Sequence, residues 1–223
     1  MKIRKVLKIV GIILLVVIIL LLIHTIRNFI IVRKLQNNIT QYANSTNYSI
    51  KSIISNPNKT EIAELTTTMF YKKDNKQAGF VIRGKGQEIT KISMFGLSDQ
   101  EGYRTYIENG ESKIAKIETE GGFIMPTIVN GLESDSTWHT FISCFFAYIR
   151  STVVNSKDCY IVSNYPSYIS LNPVGKNEYY IEKDTGLMIE NITNDMISGR
   201  DYEFDNVDDS IFVEPDISEY IVQ

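Results

Sequence analysis

Apolar residues run without a break from Ile9 to Ile23, directly behind the basic residues Lys2, Arg4, Lys5 and Lys8. His24 and Thr25 interrupt the run, Ile26 resumes it, and Arg27 ends it. As a helix, residues 9–26 reach roughly 27 Å at about 1.5 Å per residue, close to the thickness of a bilayer's hydrocarbon core. Phe29 to Val32 could lengthen the span if Arg27 snorkels to the interface. A cleaved secretory signal begins the same way, but cleavage needs small residues just behind the apolar core. Leu22 to Arg27 offer no such pair. The pattern therefore predicts an uncleaved signal anchor over 9–27, with residues 1–8 as a basic cytoplasmic tail. Beyond it, Ile31, Leu35, Ile39 and Tyr42 recur at spacings of four, four and three, which predicts a helix over 28–44 continuing from the span.

From Tyr48 the period changes to two, cut by turns. Strands are predicted at 47–54, 60–72, 78–84, 87–95, 103–108 and 112–119. Asp74 to Gln77 and Glu108-Asn109-Gly110 read as turns, the second as a tight hairpin because Asn-Gly tolerates positive φ. Residues 120–136 read as irregular. Between 137 and 149 the period returns to that of a helix, with Trp138, Phe141, Ile142, Phe145, Phe146 and Ile149 on one stripe and Ser136 or Thr137 as its cap. Strands resume at 151–154, 158–164, 177–182, 187–193, 200–206 and 217–222, with a loop at 165–176 and a hairpin turn at 183–186. Tyr179 and Ile181 alternate with acidic and polar neighbours, as do Tyr202 and Phe204, so one sheet face is expected to be wet and the other covered. The expectation is α+β: an apolar first helix followed by a mainly antiparallel sheet covered by helices, making one extracytoplasmic domain over 28–223.

Composition supports the sheet, since 34 Ile and 13 Tyr stand against 12 Leu and 5 Ala, and β-branched and aromatic side chains fit a pleated surface. Charge sharpens the picture more. Residues 1–60 carry nine bases and no acid, while residues 61–223 carry 14 bases against 26 acids. A nucleic-acid binder needs its positive charge on the folded part, so that class is set aside. The positive-inside count across the span is only weakly biased, and the acidic, tyrosine-rich remainder favours the carboxy-terminal part outside the cell membrane.

The carboxy-terminal third carries a resemblance. Asp158-Cys159-Tyr160-Ile161-Val162 is followed by Glu178-Tyr179-Tyr180-Ile181-Glu182-Lys183-Asp184-Thr185-Gly186-Leu187, then by Tyr202 to Val207 and Phe212-Val213-Glu214-Pro215-Asp216. Residues 158–216 resemble the lipoprotein-carrier superfamily, the LolA-like proteins, in a strand, a Thr-Gly-Leu hairpin and a final strand ending in Pro-Asp. The resemblance implies an open, curved antiparallel sheet, a half-barrel, whose concave face is plugged by helices, with an apolar cavity between them that in the carriers accepts acyl chains. A tethered chain does not shuttle, so it resembles the membrane-anchored forms of bacteria with a single membrane. The implied function is non-catalytic binding of a lipid, an acyl chain or a lipoprotein. The alternative is a signalling or protein-interaction domain of the same fold with a filled cavity. Candidate cavity walls are Leu35, Ile39, Phe80, Ile82, Ile92, Met94, Trp138, Phe141, Phe145, Tyr179, Ile181, Tyr202 and Phe204.

Chemistry-bearing residues are few. His139 lacks a nucleophile and an orienting acid in any known arrangement, and His24 belongs to the membrane interface. Two Cys and two His give no metal set, and no cofactor is expected. Cys144 and Cys159 could form a disulfide outside the membrane or remain buried free thiols; the sequence leaves both open. The acidic stretch from Asp205 to Asp216 has some oxygen ligands of a calcium loop but places Ser210 where the Gly is required, so it reads as a solvated surface.

Overall fold

The computed structural model describes residues 2–42, 45, 47–55, 64–72, 77–85, 88–96, 101–108, 110–118, 128, 131–132, 136–165, 177–193 and 196–222. The turn at residue 74, most of 120–136 and the loop at 166–176 lie outside these residues. In chain order the elements begin with α1 (Lys2–Ile39), β1 (Asn47–Ser55), β2 (Glu64–Lys72), β3 (Gln77–Lys85), β4 (Glu88–Gly96), β5 (Glu101–Glu108) and β6 (Glu111–Glu118). There follow α2 (Thr137–Phe146), β7 (Tyr148–Val154), β8 (Lys157–Ser163), β9 (Asn177–Glu182), β10 (Met188–Thr193), β11 (Met196–Phe204) and the two-residue β12 (Ile221–Val222). Two compact units divide the chain. The first holds Met1–Ile39 and Val129–Met188, the second Thr40–Ile128 and Ile189–Gln223.

The second unit is built on the meander. Its strands lie in the order β12-β6-β5-β4-β3-β2-β1-β11-β10, all antiparallel except β12, which runs parallel to β6. This is a large sheet that is not closed into a barrel. Glu108 pairs with Glu111 across the Asn-Gly turn, where Gly110 takes φ +83°. Tyr48 and Ile50, both buried, stand opposite Phe204 and Tyr202, and the ring of Tyr42 lies 4.4 Å from that of Phe204. These four aromatic and aliphatic residues occupy the covered face, while Asp201 and Glu203 are exposed on the other. β11 ends at Phe204, two residues before the predicted stop, and Asp205 follows it at φ +56°. Beyond it, Asp208 accepts from the backbone N–H of Ser210 at 2.8 Å and Asp216 from that of Ser218 at 2.9 Å. Each caps a short 3₁₀ turn; the Ser210 N–H and hydroxyl hold the Asp208 carboxyl below its usual pKa, and the Ser218 hydroxyl and N–H do the same for Asp216. Much of the acidic end thus serves as local punctuation.

The first unit packs α1 and α2 against β7, β8 and β9, an antiparallel trio in that order. Ser136 caps α2, its hydroxyl accepting from the N–H of Trp138 at 3.2 Å. The predicted helix runs to residue 149, but α2 stops at Phe146. Ala147 is extended at ψ 141°, and from Tyr148 onward the backbone bonds to β8, with Ile149 buried opposite Val162. A ladder partner outweighs three more residues of helix rich in β-branched and aromatic side chains. β7 and β8 are joined by Asn155 and Ser156, both at positive φ, as a two-residue hairpin requires.

Candidate functional site

α1 is one unbroken helix of 38 residues, and its two ends do different work. Over an 18-residue window within Val6–Tyr42 the mean hydropathy is 3.5 and none of it is buried. Further along, Thr25, Asn28, Val32, Leu35 and Ile39 are all buried. Their spacings of three, four, three and four place them on one stripe facing the rest of the unit. The predicted stripe shares Leu35 and Ile39 with it, but Val32 takes the core position and Ile31 sits half-buried at its flank. Val32 and Leu35 pack with Cys144, Val162, Tyr179 and Ile181 in the unit's main core.

The β9–β10 hairpin closes on the same stripe. Gly186 stands at φ +73°, and a Cβ there would overlap the carbonyl oxygen of Leu35 and come within 2.9 Å of the Ile39 nitrogen. Thr185 Oγ1 donates to Glu182 at 2.8 Å and accepts from the Leu187 N–H, while Asn38 Nδ2 donates to the Lys183 carbonyl at 3.0 Å. The Thr-Gly-Leu signature is therefore a seat for α1: Thr185 shapes the turn and Gly186 allows the backbones to touch.

The polar end of the buried stripe closes α2. A helix leaves its last carbonyls without intrahelical donors. Here Asn28 Nδ2 donates to Cys144 O at 3.1 Å and to Ala147 O at 2.8 Å. His24 Nε2 lies beside the same cluster, 3.0 Å from the Asn28 amide nitrogen and 3.1 Å from Ala147 O. Thr25 Oγ1 donates back to Leu21 O at 2.8 Å. Sequence reading left Asn28 unremarked, because one polar residue at the start of an amphipathic stretch carries no signal of what it will meet.

Above these caps α1 and α2 border an open groove of about 380 Å³, lined by Ile18, Leu21, Leu22 and Thr25 from α1 and by Trp138, Phe141, Ile142, Phe145 and Phe146 from α2. A second hollow of about 420 Å³ shares Trp138 and Phe141 and adds Phe29 and Thr137. The ring of Phe141 stacks on Trp138 at 6.1 Å and meets Phe29 edge-on at 5.6 Å. Among the lining side chains only the Thr hydroxyls and the Trp138 indole N–H offer hydrogen bonding, and none carries charge. The volumes fall within the roughly 300–1,000 Å³ of small-molecule sites.

The predicted wall residues thus separate. Trp138, Phe141 and Phe145 meet in the groove. Leu35, Tyr179 and Ile181 are packed core of the same unit, and Ile39 is buried on the same face of α1. Tyr202 and Phe204 belong to the second unit, their rings stacked at 6.1 Å. Phe80, Ile82, Ile92 and Met94 lie on β3 and β4. Phe80 pairs with Ser93 and Ile92 with Val81, so positions 80 and 82 occupy one face of the sheet and 92 and 94 the other. The α1 residues Ile18, Leu21 and Leu22 escaped sequence reading because an all-apolar run has no distinct face.

Cys144 and Cys159 are free thiols, both buried. Burial pushes the Cys144 thiol up to about 12 and raises that of Cys159 as well. Among the described residues no three His, Cys, Asp or Glu side chains gather to hold a metal ion.

No family model and no curated protein matches the chain. Solved structures similar to it include LprF from Mycobacterium bovis, at 7% identity and a TM-score of 0.43 over 83% of this chain and 95% of that one. A DUF1329 family protein from Desulfovibrio piger is similar at 10% identity and a TM-score of 0.34, over 85% and 97% of the two chains. A LolA superfamily protein from Nitrosomonas europaea is similar at 8% identity and a TM-score of 0.29, over 80% and 97%.

Proposed function

We propose that this chain is a membrane-anchored, extracytoplasmic binder of a hydrophobic ligand, a lipid or acyl chain, that performs no catalysis. Residues 9–27 cross the cell membrane once, residues 1–8 stay in the cytoplasm, and residues 28–223 lie outside. The observation that carries the reading is the groove between α1 and α2, whose walls are aliphatic and aromatic and whose volume suits one small apolar ligand. Each methylene moved from water into such walls contributes about 0.8 kcal/mol, so an alkyl chain is held by burial alone. The LolA-like resemblance of residues 158–216 agrees with that ligand class.

The second reading, a protein-interaction or signalling domain with a filled cavity, draws on a different observation: Leu35, Tyr179 and Ile181, predicted as walls, are packed core. Native mass spectrometry of the full chain, released from detergent and followed by organic extraction, separates the two. A discrete lipid mass retained at fixed stoichiometry after bulk lipid is stripped supports the binder. Ligand-free protein that also rejects added fatty acid and lysolipid sinks it, and a partner recovered by cross-linking then favours the interaction domain.

A further inference from the structure

α2 contains no Asp, Glu, Lys or Arg, its one ring nitrogen base being the exposed His139, and it turns Trp138, Ile142, Phe145 and Phe146 outward with 65, 40, 43 and 59% of their surfaces exposed. A contiguous apolar face of this kind marks a contact with a membrane or a partner. Its position along α1 decides between them. With residues 9–27 across the bilayer, as proposed above, Ile18 lies about 14 Å and Thr25 about 3 Å inside the outer end of the span, at roughly 1.5 Å per residue. Ile18, Leu21, Leu22 and Thr25 are the α1 residues that share the groove with α2. Lipid that surrounds α1 at this level therefore meets α2 as well. We infer that α2 is a second membrane contact, lying along the outer hydrocarbon–headgroup boundary with Trp138, Ile142, Phe145 and Phe146 among the acyl chains, so that the groove opens into that leaflet.

An independent observation fits the same depth. Backbone groups in hydrocarbon have no water to bond and need partners from the protein. The carbonyls of Cys144 and Ala147 receive theirs from the Asn28 amide of α1, and the N-terminal N–H of Trp138 finds its acceptor in the Ser136 hydroxyl. Tryptophan is also enriched at this boundary, its ring in the apolar region and its N–H toward the headgroups.

Trp138 is the chain's one tryptophan, so it reports on α2 without labelling. The full chain is reconstituted in vesicles of phosphatidylcholine and phosphatidylglycerol that carry bromine either high on the acyl chains or at their ends. Co-flotation with the vesicles is measured first, then fluorescence with each bromolipid and with aqueous acrylamide. The expected result is flotation, at least a roughly twofold loss of intensity from bromine placed high in the chain, a smaller loss from bromine at the chain end, and poor access to acrylamide. Trp138→Phe removes the signal and serves as the blank. Floating protein whose Trp138 is quenched by acrylamide but by neither bromolipid overturns the inference. Floating protein shielded from both quenchers overturns it too, because another protein surface then covers the face. A chain that fails to float overturns the α1 span, and this inference with it, whereas loss of ligand binding alone leaves the quenching profile unchanged.

Discussion

Gly186 and Asn28 each hold a joint where α1 meets the rest of its unit. At Gly186 an added Cβ would face both a φ of +73° and the Leu35 carbonyl. Gly186→Ala is expected to lower the stability of the full chain by about 2–4 kcal/mol, from backbone strain plus overpacking. Urea unfolding in micelles checks this, and an unchanged midpoint would mean that the hairpin does not press on α1. Asn28→Ala leaves the Cys144 and Ala147 carbonyls without these amide donors and is expected to cost about 1–3 kcal/mol. Asn28→Asp is expected to cost more, because a carboxylate there faces two carbonyl oxygens; near-ultraviolet circular dichroism and unfolding measure both. The Cys144 thiol titrates from an ordinary 9.0 when unfolded to about 12 when folded. The folded state thus keeps a proton that the unfolded state loses, so this contribution is intact below pH 9 and falls away as pH rises above it. The alkaline decline in melting temperature is expected to be shallower in Cys144→Ala than in the parent, and equal slopes would contradict that. Sequence reading marked Gly186 as a turn residue but not as a close approach, since the approach depends on a helix 145 positions or more away.

Among the elements, the strands were the most legible. Alternation bounded by turn residues placed β1, β3 and β6 to within one or two positions, because each strand carries its own turn signals. α2 was legible in type and cap but not in its end. Ile149 continues the helical stripe by number, yet it belongs to β7, and only the pairing with β8 decides that. α1 was legible as a span continuing into a second helical stretch, and it is one helix that ends at Ile39 rather than at residue 44. The chain passes from apolar run to core helix through Thr25 and Asn28 without a break, so the second segment cannot be trimmed freely. A chain beginning at residue 28 keeps Val32 and Leu35 and is expected to retain cooperative unfolding. One beginning at residue 36 loses both from the core and is expected to melt without a transition or to be digested rapidly by protease. Equal protease resistance of the two would show that α1 contributes little to the core.

At the scale of the whole molecule, the candidate site moved more than the fold did. The expected cavity drew walls from helices and from sheet together. The described structure instead fills the space beneath α1 with Leu35, Tyr179 and Ile181 and leaves open the groove beside it. Whether an apolar stripe becomes core or rim is set by what packs against it, which no periodicity encodes. Lys2, Arg4, Lys5 and Lys8 precede the apolar run and Arg27, Arg33 and Lys34 follow it, so the flanking bases bias the proposed orientation only weakly. In that setting the central claim, that the α1–α2 groove holds a hydrophobic ligand, is tested by photo-crosslinking. The full chain in nanodiscs is irradiated with a diazirine-bearing fatty acid at rising concentration, with and without excess unlabelled fatty acid, and the labelled peptides are mapped. The account predicts labelling of the Trp138–Phe146 segment and of Ile18–Thr25 that saturates and is competed away. Labelling that rises in proportion to the probe, resists competition and is confined to residues 9–17 would contradict it.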